Sequence, residues 1–176
     1  MSVKVSRPPE NEYIAFYAGY VQRVPDGDVF NFLARQSAVL RDVLAGLTAE
    51  QADFRPGPAE WSIKDVVGHV NDAERVFAFR ALHVCRNDQG SIPGFDQDDW
   101  VRAANFGDRT LPDLLEEFDL QRRANILTFS QLTPEAMLRC GTVNNNLMSA
   151  RALVYCMAGH VEHHIESLKQ DYLAKL

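Results

Sequence analysis

From Asp28 onward the apolar residues recur with helical spacing. Val29, Leu33, Leu40, Val43/Leu44 and Leu47 share one stripe with Gln36/Ser37, opening on Asp28 as N-cap and closing near Gly46. A second stripe, Ile63, Val66, Val70, Ala73, Phe77, Ala81 and Val84, follows the breaker segment Arg55-Pro-Gly-Pro. Ser62 caps it, Asp65 at N3 completes a carboxylate version of the capping box, and Trp61 with Val66 forms a candidate hydrophobic staple. Asn87-Asp-Gln-Gly90 ends it. A third helix opens at Thr110, with Pro112 in the first turn and Asp113 at N3, again a capping box, and runs to about Ser130. Ser149 opens the fourth, whose stripe is Leu153, Met157, His160, His164 and Leu168 and which can run to the C-terminus.

Between these helices the pattern is weaker. Residues 1–27 combine Pro8, Pro9, Gly19, Pro25 and Gly27 with Tyr13, Phe16, Tyr17 and Tyr20, which reads as a lead-in segment packing through its rings without a long helix. Residues 88–109 hold one short helix at Asp96–Val101, and Thr133–Met137 makes another. Only Leu138 to Val143 reads as extended, ahead of a polar bend at Asn144-Asn-Asn. Four helices of about 30 Å each predict an all-α four-helix bundle over residues 28–176. Its connections exceed the two to eight residues usual between adjacent antiparallel helices, so a crossover is expected. The 88–109 segment is long enough to cross the fold or to cover a site.

Composition narrows the function classes. The 176 residues carry 18 Lys+Arg against 24 Asp+Glu, a net charge of −6, and 46% are hydrophobic, which fits one self-sufficient domain. The acidic balance, with scattered Arg residues, argues against nucleic acid as a partner. Cys85, Cys140 and Cys156, an odd and widely spaced set, read as reduced thiols of a cytoplasmic protein. No signal-peptide core or membrane-length apolar run is evident. A nucleotide-binding glycine loop and a GxSxG nucleophile motif are both absent.

The histidines carry the candidate chemistry. Of five, three fall within residues 160–164. His160 and His164, four apart, stand one above the other on the inward stripe where Leu is usual, a bidentate metal platform. His160 with His163, three apart, is the alternative pair; adjacent His163 and His164 diverge by about 100° and do not share one ion easily. His69, on the inner margin of the second helix, offers a third nitrogen, and three nitrogens leave positions open for water or substrate. Glu162 is two residues from His160, so His160-Val-Glu-His-His164 is not a zincin motif. Asp65 and Cys156 each lie one turn before a histidine and are weighed as extra ligands, although a helix cap and a small core residue account better for them. His83 reads as a surface or satisfied residue. Trp61 and Trp100 read as packing residues.

The block Trp61-Ser-Ile-Lys-Asp-Val-Val-Gly-His69, followed by Gly159-His160-Val-Glu-His-His164-Ile-Glu-Ser-Leu, resembles the DinB/YfiT-like superfamily over roughly residues 28–172. The resemblance implies a metal-binding bundle, often a homodimer, with zinc or nickel on His69, His160 and His164, which selects the His160/His164 pair. Members include metal-dependent hydrolases and thiol-dependent S-transferases or isomerases that use low-molecular-weight thiols such as bacillithiol or mycothiol. The implied partner is thus a small-molecule substrate with water or such a thiol as nucleophile. A non-enzymatic, stress-linked bundle with a structural or vestigial metal is the competing expectation.

Overall fold

The computed structural model describes residues 5–176 and is mostly helical. Its elements are α1 (Ala18–Arg23), α2 (Val29–Val43), α3 (Ala49–Ala52), α4 (Ile63–Cys85), α5 (Gln97–Ala104), α6 (Leu111–Phe129), α7 (Pro134–Leu138), the strands β1 (Cys140–Val143) and β2 (Asn146–Ser149), and α8 (Ala150–Ser167). Residues 1–4 of the lead-in segment lie outside the described residues.

Local chemistry sets the helix starts as the sequence predicts. Asp28 accepts from the Phe30 N–H, and Ser62 and Asp65 bond reciprocally at 3.1 and 2.9 Å. The box at α6 is half formed: Thr110 accepts from the Asp113 N–H, and no return bond from the Asp113 carboxylate occurs among the described residues. Ser149 caps α8 through the Ala152 N–H.

Two expectations need correction. The extended stretch begins at Cys140, because Leu138 closes α7, and it pairs antiparallel with a second strand, β2, that the pattern of residues does not reveal. The polar bend is its hairpin turn. Asn144 and Asn145 both take positive φ (48° and 61°), the primed-turn geometry that asparagine tolerates and that matches strand twist.

The core forms two apolar clusters with a polar layer between them. Along α2, Val29, Phe30 and Leu33 belong to one cluster, and Leu40 and Leu44 to the other. The helix α8 passes between them in the same sense, from Leu153 and Met157 to Val161 and Ile165. Both α4 and α6 run the opposite way, from Val66 and Val70 to Phe77 and Ala81, and from Leu114 and Phe118 to Phe129. Each of α2 and α4 packs against both α6 and α8. Consecutive helices α2 and α4 are therefore diagonal, as are α6 and α8, whereas α4 and α6 are parallel neighbours. A parallel pair cannot be joined by a short loop, so residues 86–110 must travel the length of the bundle. This is the expected crossover.

The centre of the polar layer, Gln36, Glu74 and Arg122, is buried. Glu74 on α4 pairs with Arg122 on α6 at 2.9 Å, and both side chains are at most 1% exposed. Asn125 donates to the other Glu74 oxygen, Arg122 donates to Gln36 Oε1, and Gln36 Nε2 donates to the Ala158 carbonyl on α8. This chain of bonds links all four long helices at mid-height.

The lead-in packs on α8 through α1. The approach is close enough that a Cβ on Gly159 would fall 1.9 Å from the Tyr20 carbonyl oxygen, so only glycine serves there. Gly68 plays the same part on α4, where an added Cβ would meet the Phe106 ring at 2.3 Å. Each of these glycines immediately precedes a candidate metal histidine.

Candidate metal centre

His69 is carried by α4, and His160 and His164 by α8, and these two helices pack directly against each other. The Nε2 atoms of His69 and His160 are 3.0 Å apart, and those of His164 and His160 are 3.2 Å apart. One nitrogen from each of the three lies within 4.8 Å of the others. Tetrahedral coordination with metal–nitrogen bonds of about 2.0–2.1 Å separates ligand nitrogens by about 3.3 Å. The two pairs that include His160 are close to that spacing.

The donor set fits a cation better than it fits mutual hydrogen bonding. One imidazole nitrogen offers either a proton or a lone pair, so His160 Nε2 cannot serve both neighbours well. Burial, reinforced by the neighbouring imidazoles, pushes all three below the ordinary histidine value: His69 to about 4, His160 and His164 well below 6.5. All three are neutral at pH 7, the ligating form. His160 Nδ1 is buried without a hydrogen-bond partner, so the ring is held by packing against Tyr20 (5.4 Å between centroids) and Phe77 (5.7 Å). Trp61 packs on His69 at 4.8 Å, a closer tie to the site than a general packing role predicts.

These shifts have a consequence for stability. In the unfolded chain a histidine accepts a proton near pH 6.5, whereas folded His69 refuses it until about pH 4. Below pH 6.5 the unfolded state binds more protons, so metal-free protein loses stability as pH falls through that window, by on the order of 3 kcal/mol from His69. Unfolding free energies from urea titrations of chelator-treated protein at pH 7.5 and 4.5 should diverge by that amount more in the wild type than in His69→Ala. Equal divergence in both proteins would contradict the shift.

The other candidates fall away from the ion. Asp65 closes the capping box of α4 by accepting from the Ser62 N–H and pairs with Arg55 at 2.7 Å. Cys156 is fully buried, its thiol pushed far up by burial, and remains protonated. His163 is half-buried, stacks near Tyr20 at 5.8 Å and is not part of the three-nitrogen group. Glu162 turns to Gln36. His83 bonds the Gly90 carbonyl at 2.8 Å near the end of α4.

A cavity of about 390 Å³ opens onto His69 and His160. Besides His160 of α8, its walls come from four places in the chain: Tyr17 and Tyr20 of the lead-in, Phe77 and Arg80 of α4, residues 94–98 of the crossover, and Asn144 of the hairpin. The crossover thus both spans the bundle and covers the site. Sequence reading did not pick out Arg80, although its spacing from His69, eleven residues, is a whole number of helical turns to within about 20°.

Among the described residues no helix is long and apolar enough to cross a membrane. The family model of the DinB superfamily matches residues 33–168. No curated protein matches the chain. Among solved structures the chain is similar to YfiT from Bacillus subtilis, described as a probable metal-dependent hydrolase with an unusual four-helix bundle topology. The TM-score is 0.74 at 16% identity, covering 81% of this chain and 82% of that one. With the family match spanning most of the chain and the helices arranged as in that bundle, the protein belongs to the DinB superfamily.

Proposed function

We propose that the protein is a metal-dependent enzyme in which His69, His160 and His164 hold one divalent ion, Zn²⁺ or Ni²⁺, through their Nε2 atoms. The observation that carries this reading is the convergence of three neutral imidazoles, two buried and His164 half-buried, with Nε2 separations of 3.0 and 3.2 Å beside an open cavity. Imidazole donors suit both ions. When bound, such an ion lowers the pKa of a coordinated water or thiol and so supplies a nucleophile at neutral pH. The reaction is hydrolysis, or transfer of a low-molecular-weight thiol to a small molecule. YfiT, as a probable metal-dependent hydrolase, supports the first arm.

The chain's own residues supply the setting. Tyr17, Tyr20 and Phe77 give the cavity an aromatic wall beside His160. Burial holds both phenols above their ordinary value, so they remain neutral hydrogen-bonding groups. Cys156, buried and protonated, is not the nucleophile.

Protein purified without chelator should carry one ion per chain by elemental analysis. The loaded protein should turn over at least one member of a panel of esters, amides and electrophiles offered with low-molecular-weight thiols. Absence of bound metal after reconstitution with both ions overturns the reading. A metal whose removal unfolds the domain, with no turnover across the panel, favours the non-enzymatic bundle instead.

A further inference from the structure

The chain buries two arginines in its interior, and they are treated differently. Arg122 has Glu74 at 2.9 Å and Gln36 at 2.8 Å. Arg80, only 2% exposed, has no carboxylate within 4 Å among the described residues. Its Nη2 donates to the Pro93 carbonyl at 3.2 Å, its guanidinium lies 5.8 Å from the centre of the Phe95 ring, and its Nε is buried with no partner. The Tyr17 phenol, which is hydrogen-bonded to Arg80, and the Cys156 thiol do not balance the charge. Burial pushes the Tyr17 phenol and the Cys156 thiol upward against the pull of Arg80, so both stay neutral. An uncompensated charge in such surroundings is costly unless something outside the chain pairs with it.

Arg80 is also in the wall of the cavity that opens onto the histidines. It follows His69 by eleven residues on α4, which returns it to the same face about 16 Å further along the axis. Ala73 and Phe77 fall between them on that face, and all four line the cavity. The small Ala73 leaves room, and Phe77 supplies an apolar floor. The cavity therefore has a polar end at the histidines, an apolar middle and a cationic end at Arg80.

We propose that Arg80 receives a carboxylate of the substrate, so that the cavity selects a monoanionic small molecule with an apolar body lying over Ala73 and Phe77 and its reacting group at the histidine end. A planar guanidinium fork matches a carboxylate. A single arginine flanked by Phe95 and Pro93 provides less charge than a phosphate dianion demands. Asp96 and Asp98 in the same wall act against a second negative charge; Asp96 is already engaged in capping α5 through the Asp99 N–H. This assignment rests on the metal reading only in taking the cavity as the substrate site.

The test uses full-length protein and two probes of equal shape, 4-phenylbutyrate and its primary amide, titrated calorimetrically into zinc-loaded and chelator-stripped samples. The acid should bind at least about tenfold more tightly than the amide in both samples. Arg80→Gln should bring that ratio close to one, and Arg80→Lys should leave part of it. A wild type that does not prefer the acid overturns the proposal. So does a preference that survives Arg80→Gln and vanishes on stripping, because the carboxylate then binds the metal. A protein that retains no zinc yet keeps the Arg80-dependent preference would remove the metal reading and leave this one standing. If Arg80→Gln does not fold, the Arg80 Nε–H resonance of the wild type decides: the acid should shift it downfield and the amide should not, and an unmoved signal overturns the assignment.

Discussion

Replacing His160 and His164 together by alanine is expected to abolish retention of Zn²⁺ and Ni²⁺ while leaving a folded bundle. Loss of a group that merely orients a ligand weakens metal binding about 10- to 100-fold, so loss of two ligands should weaken it by at least about a thousandfold. The remaining nitrogen, on His69, cannot hold a divalent ion alone at micromolar concentrations. The fold should survive because both histidines are neutral, donate no bond that the helix needs, and leave the two apolar clusters intact. Competition with a chromogenic chelator gives the affinity, and circular dichroism checks the fold. Affinity unchanged in the double variant would remove the metal centre from these residues. Replacing His163, which lies outside the three-nitrogen group, should cost far less and serves as the internal control.

The second large effect lies away from the cavity. Glu74→Ala should destabilise the protein by about 3–5 kcal/mol, because it strands the buried Arg122 charge. For a domain of this size that corresponds to a fall in melting temperature of about 10 °C. The loss is mostly the cost of an unpaired charge, not the worth of the pair. Converting the pair to apolar residues, Glu74→Leu with Arg122→Met, should therefore recover most of the stability. Thermal melts of the single and double variants decide it; a single-variant loss below about 1 kcal/mol would mean that water reaches Arg122 and screens it. The network also bonds the Ala158 carbonyl, two residues before His160, so its loss should loosen α8 where the histidines stand.

Much of the local architecture was legible along the chain because its causes are local. Ser62 and Asp65 close a capping box within four residues, Asp28 and Ser149 start their helices by bonding backbone N–H groups two or three residues on, and the stripes of α2, α4 and α8 follow from helical period alone. The same period set His160 above His164, leaving His163 as the alternative that resemblance put aside. The missed strand has a different cause. Asn146–Ser149 becomes β2 only because a left-handed Asn144-Asn145 turn folds it onto β1, and Ile92 of the distant crossover adds a bridge to Val143.

The sequence by itself determined the four long helices, their N-cap residues and the pairwise spacing of the candidate ligands, since each depends on contacts within a few residues. Only the tertiary structure decided the rest. The parallel run of α4 and α6 forces residues 86–110 across the bundle, and that crossing roofs the cavity. Gly68 and Gly159 acquire their meaning only when Phe106 and Tyr20 arrive against them. Glu74 finds Arg122, and Arg80 finds no carboxylate among the described residues, through packing between helices far apart in the chain. Charge compensation and burial are properties of the assembled interior, where every neighbour changes the dielectric and the pairing. No pattern read along one strand of sequence contains them.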